Sequence, residues 1–154
     1  MTAICMYLGN LQNKCVGVTN VEKSLVDQWI SFTNTSLMPP IETINKGIFG
    51  TAEVAAHDWN EALKQLKGHV KTLDAALAKK KWVSGDEISI ADVCLAMTLL
   101  RPLQTVLDGG FRKAMKNFSK WVNEVFAQTC ITHACGTIHL AEKALKPIVA
   151  AEKK

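Results

Sequence analysis

The sequence has 154 residues, of which 48% are apolar and 21% charged, an ordinary balance for a globular protein. This length fits one domain with a sizeable core, and the composition excludes a disordered chain. No apolar run reaches the roughly 18 residues that a membrane helix requires, and the first residues lack the basic region of a secretory signal. The five cysteines form no Cys-x-x-Cys pair, which predicts free thiols and a cytoplasmic protein.

The net charge of +4 is unevenly distributed, because residues 1–77 carry a net charge of −1 and residues 78–154 carry +5. A protein dedicated to nucleic acid needs a denser basic footprint than this. The charge distribution therefore argues against that class and leaves contact with an acidic partner or with RNA open.

Apolar residues recur at helical spacing along the chain, without the alternation typical of strands. The first run, over residues 21–32, predicts a helix with Asn20 as its N-cap, ended by the prolines within residues 38–40. A connector is expected over residues 41–50. In residues 51–79 the apolar side chains repeat at steps of three and four: Trp59, Leu63, Leu66, Val70, Leu73 and Leu77. This stripe predicts a core-facing helix, since it is too short for a sustained coiled coil.

Residues 90–107 differ, because apolar side chains surround the helix axis on nearly every side. Such a helix is buried all round, so this segment is predicted to be the central helix of a bundle. The run Asp108, Gly109 and Gly110 is expected to break the chain after it. Two further amphipathic helices are predicted, over residues 118–126 and 131–148.

The sharpest local motif lies at the start of the predicted central helix. Ser89 is placed to accept a hydrogen bond from the backbone amide of Asp92, whose carboxylate can reach back to the amide of Ser89. This is a capping box with Asp in the position usually held by Glu. Ile88 and Val93 occupy the positions of a hydrophobic staple. A buried helix cannot leave its free amides to water, so we interpret these residues as folding residues and assign no catalytic residue.

The segment from Gly85 to Val93, followed by a very apolar helix, resembles the start of the core helix in the glutathione-transferase C-terminal domain family. Further segments narrow the resemblance to the elongation factor 1-gamma family; they are residues 28–32, 39–40, 106–108, 111–113, 117, 120–121, 136 and 140–143. The resemblance spans nearly the whole chain. It departs at Lys116, where that family commonly has proline before the asparagine, and this departure affects the local helix start.

The resemblance implies an all-α helical bundle of the glutathione-transferase C-terminal type over residues 11–148. It implies that residues 1–10 are the tail of the last helix of a thioredoxin-like domain, the glutathione-binding half that this sequence does not contain. Residues 149–154 are expected to be a frayed tail. The resemblance further implies a non-catalytic scaffold of the elongation factor 1 complex, without a cofactor, that supports assembly with the guanine-nucleotide-exchange subunits.

Two alternatives stay open, because a fold does not fix a function. One is a glutathione transferase whose C-terminal helices supply the hydrophobic wall of the substrate site. The other is a transferase-like appendage of an aminoacyl-tRNA synthetase complex. Aminoacyl-tRNA synthetases and a second copy of the chain are therefore further partners to consider.

The remaining polar residues carry weaker signals. The four histidines are dispersed and Cys130 and Cys135 do not converge on one helix face, so no metal site is predicted. The three lysines of residues 79–81 are interpreted as the solvated end of a helix. Four basic residues form a stripe if one continuous helix carries them, and the stripe is either a solvated face or an interaction patch for an acidic partner or RNA: Arg112, Lys113, Lys116 and Lys120.

Overall fold

A computed structural model describes residues 2–12 and 15–148 of the chain. Within these residues all regular elements are helical, which confirms the predicted all-α class. The α-helices are α1 (Thr2–Gln12), α2 (Asn20–Phe32), α3 (Met38–Phe49), α4 (Ala56–Ala76), α5 (Ile90–Thr105), α6 (Gly109–Ala114), α7 (Lys116–Phe126) and α8 (Thr129–Cys135). A π-helical turn, Thr33–Leu37, joins α2 to α3, and a 3₁₀ turn, Leu77–Lys79, follows α4.

The start of α2 differs by one residue from the prediction, because Thr19 and not Asn20 is the N-cap. The Thr19 hydroxyl accepts a hydrogen bond from the amide of Glu22 at 3.2 Å. The Glu22 carboxylate in turn accepts from the amides of Thr19 at 3.0 Å and Val18 at 2.7 Å. These two backbone donors, Thr19 first, lower the pKa of Glu22. Thr19 takes the cap position because Glu22 stands three residues after it, completing a capping box.

The predicted end of this helix at residues 38–40 is wrong, and so is the connector over residues 41–50. The chain continues through the π turn, where the Met38 amide donates to the Thr33 carbonyl, directly into α3. The prolines lie in the first turn of α3, where an amide hydrogen has no partner within the helix and its loss costs little. The helix ends instead at Gly50, whose φ of 62° lies in the left-handed region.

The core lies where α5 packs against α2, α3 and α7, and α4 packs against α3 and α7. The predicted central helix is present as α5, in which Leu95, Leu99 and Leu103 are fully buried. The stripe predicted on α4 also faces this core, with Leu66 and Val70 fully buried. Both helices are therefore held by burial of apolar side chains, the largest favourable term in folding.

The last predicted helix, residues 131–148, is correct only as far as Cys135. Gly136, with φ 67°, terminates α8, and residues 137–148 form no helix. The amides of Ala141 and Leu145 donate to the carbonyls of Leu103 at 2.9 Å and Thr105 at 2.8 Å. Those carbonyls belong to the last turn of α5 and have no partner within that helix. The segment that they bind is thereby held out of a helix.

The predicted tail of residues 149–154 lies outside the described residues. In α1, Met6 packs against the core, while four apolar side chains are more than half exposed: Ile4, Tyr7, Leu8 and Leu11. Over residues 2–12 and 15–148, no helix combines the length and the apolar character needed to cross a membrane.

Candidate interaction surface

The start of α5 is organised around the buried carboxylate of Asp92. Its Oδ2 accepts from the Ser89 amide at 2.9 Å and from the Ser89 hydroxyl at 2.8 Å. Its Oδ1 accepts from the Val83 amide at 3.0 Å and from the indole N–H of Trp121 at 2.8 Å. The bond from the Ser89 amide is the reciprocal bond of the predicted capping box, and the same carboxylate also binds the loop before α5 and the helix α7. Its four donors occupy it fully, so the cluster is built to hold helices together.

Ile88 and Val93, the residues assigned to a hydrophobic staple, are both half-buried. Ile88 packs against the core beside the capping box. The staple itself stays a proposal, with Ile88 supplying apolar burial next to the polar cluster.

The start of α7 is capped from another helix. Met115 precedes α7 and provides no side-chain cap. The Asp74 carboxylate of α4 accepts instead from the Phe118 amide at 2.8 Å and from the Asn117 side chain at 3.4 Å. Sequence reasoning missed this role of Asp74, because the two partners are 44 residues apart in the chain. A carboxylate at a helix N-terminus satisfies free amides and complements the helix dipole.

The proposed basic patch does not lie on one continuous helix. Arg112 and Lys113 belong to α6, whereas Lys116 and Lys120 belong to α7, and Met115 between them has non-helical backbone angles. Lys113, Lys116 and Lys120 are exposed. Arg112, Lys113 and Lys116 line a cleft that also contains Glu142.

Arg112 has a structural role in this arrangement. Its guanidinium donates to the carbonyls of Leu107 at 2.7 Å and Ala141 at 2.8 Å. It therefore ties the segment after α8 to the end of α5, which leaves the exposed lysines as the cations of the patch that can meet a partner.

Lys120 lines a second cleft. The three lysines that follow α4 line the same cleft, and we call Lys79, Lys80, Lys81 and Lys120 the lysine cleft. The cleft has a volume of about 400 Å³, and among the described residues that line it Glu124 is the one acid. The Glu124 carboxylate lies 3.4 Å from Lys81 Nζ and 4.0 Å from Lys120 Nζ. From the sequence alone, residues 79–81 are interpreted as a solvated helix end. Their run of positive charge is visible in the sequence, but the proximity of Lys120 to this run depends on the fold.

The described residues contain no group of three or more His, Cys, Asp or Glu side chains able to hold a metal ion. Among the thiols, Cys94 on α5 is half-buried, and burial, followed by the nearby Cys5, raises its pKa to about 11. Cys94 is thus protonated at neutral pH, the form that is not a nucleophile.

Three comparisons place this architecture among known proteins. Residues 31–129 match the family described as glutathione S-transferase, C-terminal domain. The chain is 28% identical to elongation factor 1-gamma of Artemia salina over 142 residues. This aligned region covers 92% of this chain and 33% of that protein. The chain therefore spans about a third of the length of the curated relatives that it matches.

Two solved structures share the fold with equal closeness. The GST-like domain of elongation factor 1-gamma from Saccharomyces cerevisiae has a TM-score of 0.77 at 20% identity, over 82% of this chain and 57% of that chain. The glutathione transferase URE2P6 from Phanerochaete chrysosporium, solved with oxidized glutathione, has a TM-score of 0.77 at 19% identity, over 86% of this chain and 62% of that chain. At such identities the likeness is evidence for the fold alone.

Proposed function

The chain belongs to the glutathione S-transferase C-terminal domain family, and from that premise we propose that it is a non-catalytic scaffold domain of an elongation factor 1-gamma subunit. In this proposal its activity is binding. It supports the assembly of the guanine-nucleotide-exchange subunits of the translation elongation factor 1 complex in the cytoplasm.

One observation carries the proposal: the similarity to elongation factor 1-gamma of Artemia salina extends over 92% of the chain. The structural likeness cannot separate the two branches of the family, because the yeast elongation-factor domain and a transferase both give a TM-score of 0.77. The sequence similarity therefore decides which branch we propose.

The chemistry of the buried polar groups supports a non-catalytic role. Ser89 and Asp92 are buried, and four donors hold the Asp92 carboxylate. Neither side chain is accessible to a substrate. The raised pKa of Cys94 keeps that thiol protonated at neutral pH. These groups act on the fold, which leaves the exposed surface to carry function.

Capture of purified exchange subunits of elongation factor 1 by the immobilised chain tests the proposal. Capture at low salt is expected, and high salt should weaken it if the basic surface contributes. Lys113→Glu with Lys116→Glu is the appropriate surface variant, since Arg112→Glu would also remove the bonds to Leu107 and Ala141. Failure of the exchange subunits to bind under either condition would refute the scaffold role.

Glutathione transferase activity is the alternative that the family leaves open, because the family model that matches residues 31–129 is that of the glutathione S-transferase C-terminal domain. It is separated from the scaffold role by a conjugation assay with glutathione and a chloroaryl substrate. The scaffold proposal predicts a rate equal to the uncatalysed rate. Saturable turnover that survives repurification would favour the transferase instead.

A further inference from the structure

We propose that the lysine cleft binds an acidic segment of a partner protein, an extended run of Asp and Glu side chains. This inference rests on the proposed scaffold function and specifies the kind of polypeptide that one surface of the scaffold accepts.

The cleft concentrates positive charge from two elements that are distant in sequence. Lys79, Lys80 and Lys81 follow α4, and Lys120 is contributed by α7. The Lys81 and Lys120 side chains are 57% and 78% exposed, so their ammonium groups reach solvent. Over the described part of the chain, the ion pairs of the cleft involve only Lys81 and Lys120, and Lys79 and Lys80 form no ion pair within 4.0 Å. Such a cleft attracts a negatively charged partner.

The geometry at Glu124 indicates that the cleft suits a carboxylate. This carboxylate lies 3.4 Å from Lys81 Nζ and 4.0 Å from Lys120 Nζ. The chain therefore already holds one carboxylate between lysines of its two walls. An acidic side chain of a partner would meet the same kind of cation at Lys79 and Lys80.

An acidic polypeptide fits the cleft better than a nucleic acid does. Single-stranded nucleic acids are bound through bases stacked on exposed aromatic rings. Trp121, which lines the cleft, is only 2% exposed, and the neighbouring Trp82 is 5% exposed. The cations in the described lining of the cleft are lysines and not arginines. The cleft therefore lacks, in that lining, a planar guanidinium, which binds phosphate through two parallel hydrogen bonds.

Binding of a fluorescent oligoglutamate peptide of about ten residues, followed by anisotropy at about 50 mM and about 300 mM salt, tests the inference. An oligoglutamine peptide is the uncharged control. We expect saturable binding of oligoglutamate at low salt, weakened at high salt. An RNA oligonucleotide of the same length is added as competitor and should displace the peptide poorly.

Two triple variants carry the same change of charge. Lys79→Glu, Lys80→Glu and Lys120→Glu together reverse the cleft, and affinity should fall about tenfold or more. Lys23→Glu, Lys46→Glu and Lys64→Glu reverse exposed lysines on α2, α3 and α4, and affinity should change less than about threefold. Circular dichroism and a thermal melt establish that both variants fold.

Glu124→Gln should change the affinity for the peptide in the opposite direction. It removes the internal carboxylate that competes for Lys81 and Lys120, so it should tighten peptide binding about two- to fivefold. Weaker binding by this variant would contradict the proposed site.

The inference is overturned by no binding of oligoglutamate at low salt, by equal losses in the two triple variants, or by tighter binding of the RNA. Its failure differs from failure of the scaffold role. If the triple variant of the lysine cleft captures exchange subunits as well as the wild type does, only the role of the cleft is refuted. Peptide binding without capture of exchange subunits would refute only the partner proposed above.

Discussion

The indole N–H of Trp121 donates a 2.8 Å hydrogen bond to Oδ1 of Asp92, and both side chains are buried. Asp92 lies in the first turn of α5 and Trp121 lies in α7. The carboxylate that caps one helix therefore also fixes the position of another. The Asp92 carboxylate makes both a local helix cap and a tertiary contact, so loss of this carboxylate should affect the packing of the whole bundle.

Replacement of Asp92 by alanine should lower the free energy of unfolding by about 3–5 kcal/mol. The reason is that buried donors at Val83, Ser89 and Trp121 would lose their acceptor, and each unsatisfied buried group costs about 1–3 kcal/mol. Urea denaturation measures the change. Trp121→Phe, which removes a single donor, is the partial control and should cost less. A loss below about 1 kcal/mol for Asp92→Ala would refute the central role of the carboxylate.

Ser89→Ala should cost about 0.5–2 kcal/mol, the usual effect of removing a helix cap. It should cost less than Asp92→Ala, because the backbone amide of Ser89 keeps its bond to the carboxylate. Ser24→Ala, at an exposed position on α2, is the control and should be close to neutral. Equal midpoints of Ser89→Ala and wild type would show that the hydroxyl contributes nothing.

Local signals predicted those parts of the fold that depend on neighbours in sequence. The spacing of Leu66 and Val70 and the apolar pattern of residues 90–107 are sufficient to predict two core helices, and the predicted family is confirmed. The ends of helices were predicted less well. Asn20 is predicted as the N-cap, but the Thr19 amide donates to the Glu22 carboxylate and completes a capping box in which Thr19 is the cap.

The remainder could not be predicted because it depends on partners distant in sequence. Apolar residues at helical spacing predict a helix beyond Cys135. The free carbonyls at the end of α5 instead accept hydrogen bonds from that segment, which is not helical. Asp74 and Phe118 are 44 residues apart, and no local pattern links them. The basic stripe is predicted for one continuous helix, whereas the fold turns at Met115 and Lys120 lines one cleft with residues 79–81.

The thiol of Cys94 should react with iodoacetamide much more slowly than the exposed thiol of Cys130. Burial raises the pKa of Cys94 from 9.0 to about 11, so little thiolate exists at pH 8. Mass spectrometry of labelled protein should show a Cys94 rate that rises about tenfold per pH unit without levelling below pH ~9.5. A Cys94 rate that levels off near neutral pH would contradict the raised pKa.

The raised pKa of Cys94 also makes the stability of the fold depend on pH. The folded chain holds the Cys94 proton more tightly than the unfolded chain does, because the folded pKa is about 11 against an ordinary 9.0. The free energy of unfolding should therefore fall as pH rises from about 9 towards about 11, and this contribution should be constant below that range. Cys94→Ala removes the titrating group and is the control for this slope.

The close approach of α3 and α4 at Gly47 gives the sharpest packing prediction. A Cβ added to Gly47 would lie 2.6 Å from Cε3 and 2.8 Å from Cζ3 of the buried Trp59 ring. An aromatic ring enclosed by the core cannot yield as a flexible side chain would, so Gly47→Ala should lower the free energy of unfolding by about 1–3 kcal/mol. Gly68→Ala is the matched control, because a Cβ there meets no atom within 4 Å. In the interior of α4 that substitution should stabilise the protein by about 0.5–1 kcal/mol. Denaturation midpoints that shift in the same direction for both variants would show that helix propensity, and not contact with Trp59, decides the effect at Gly47.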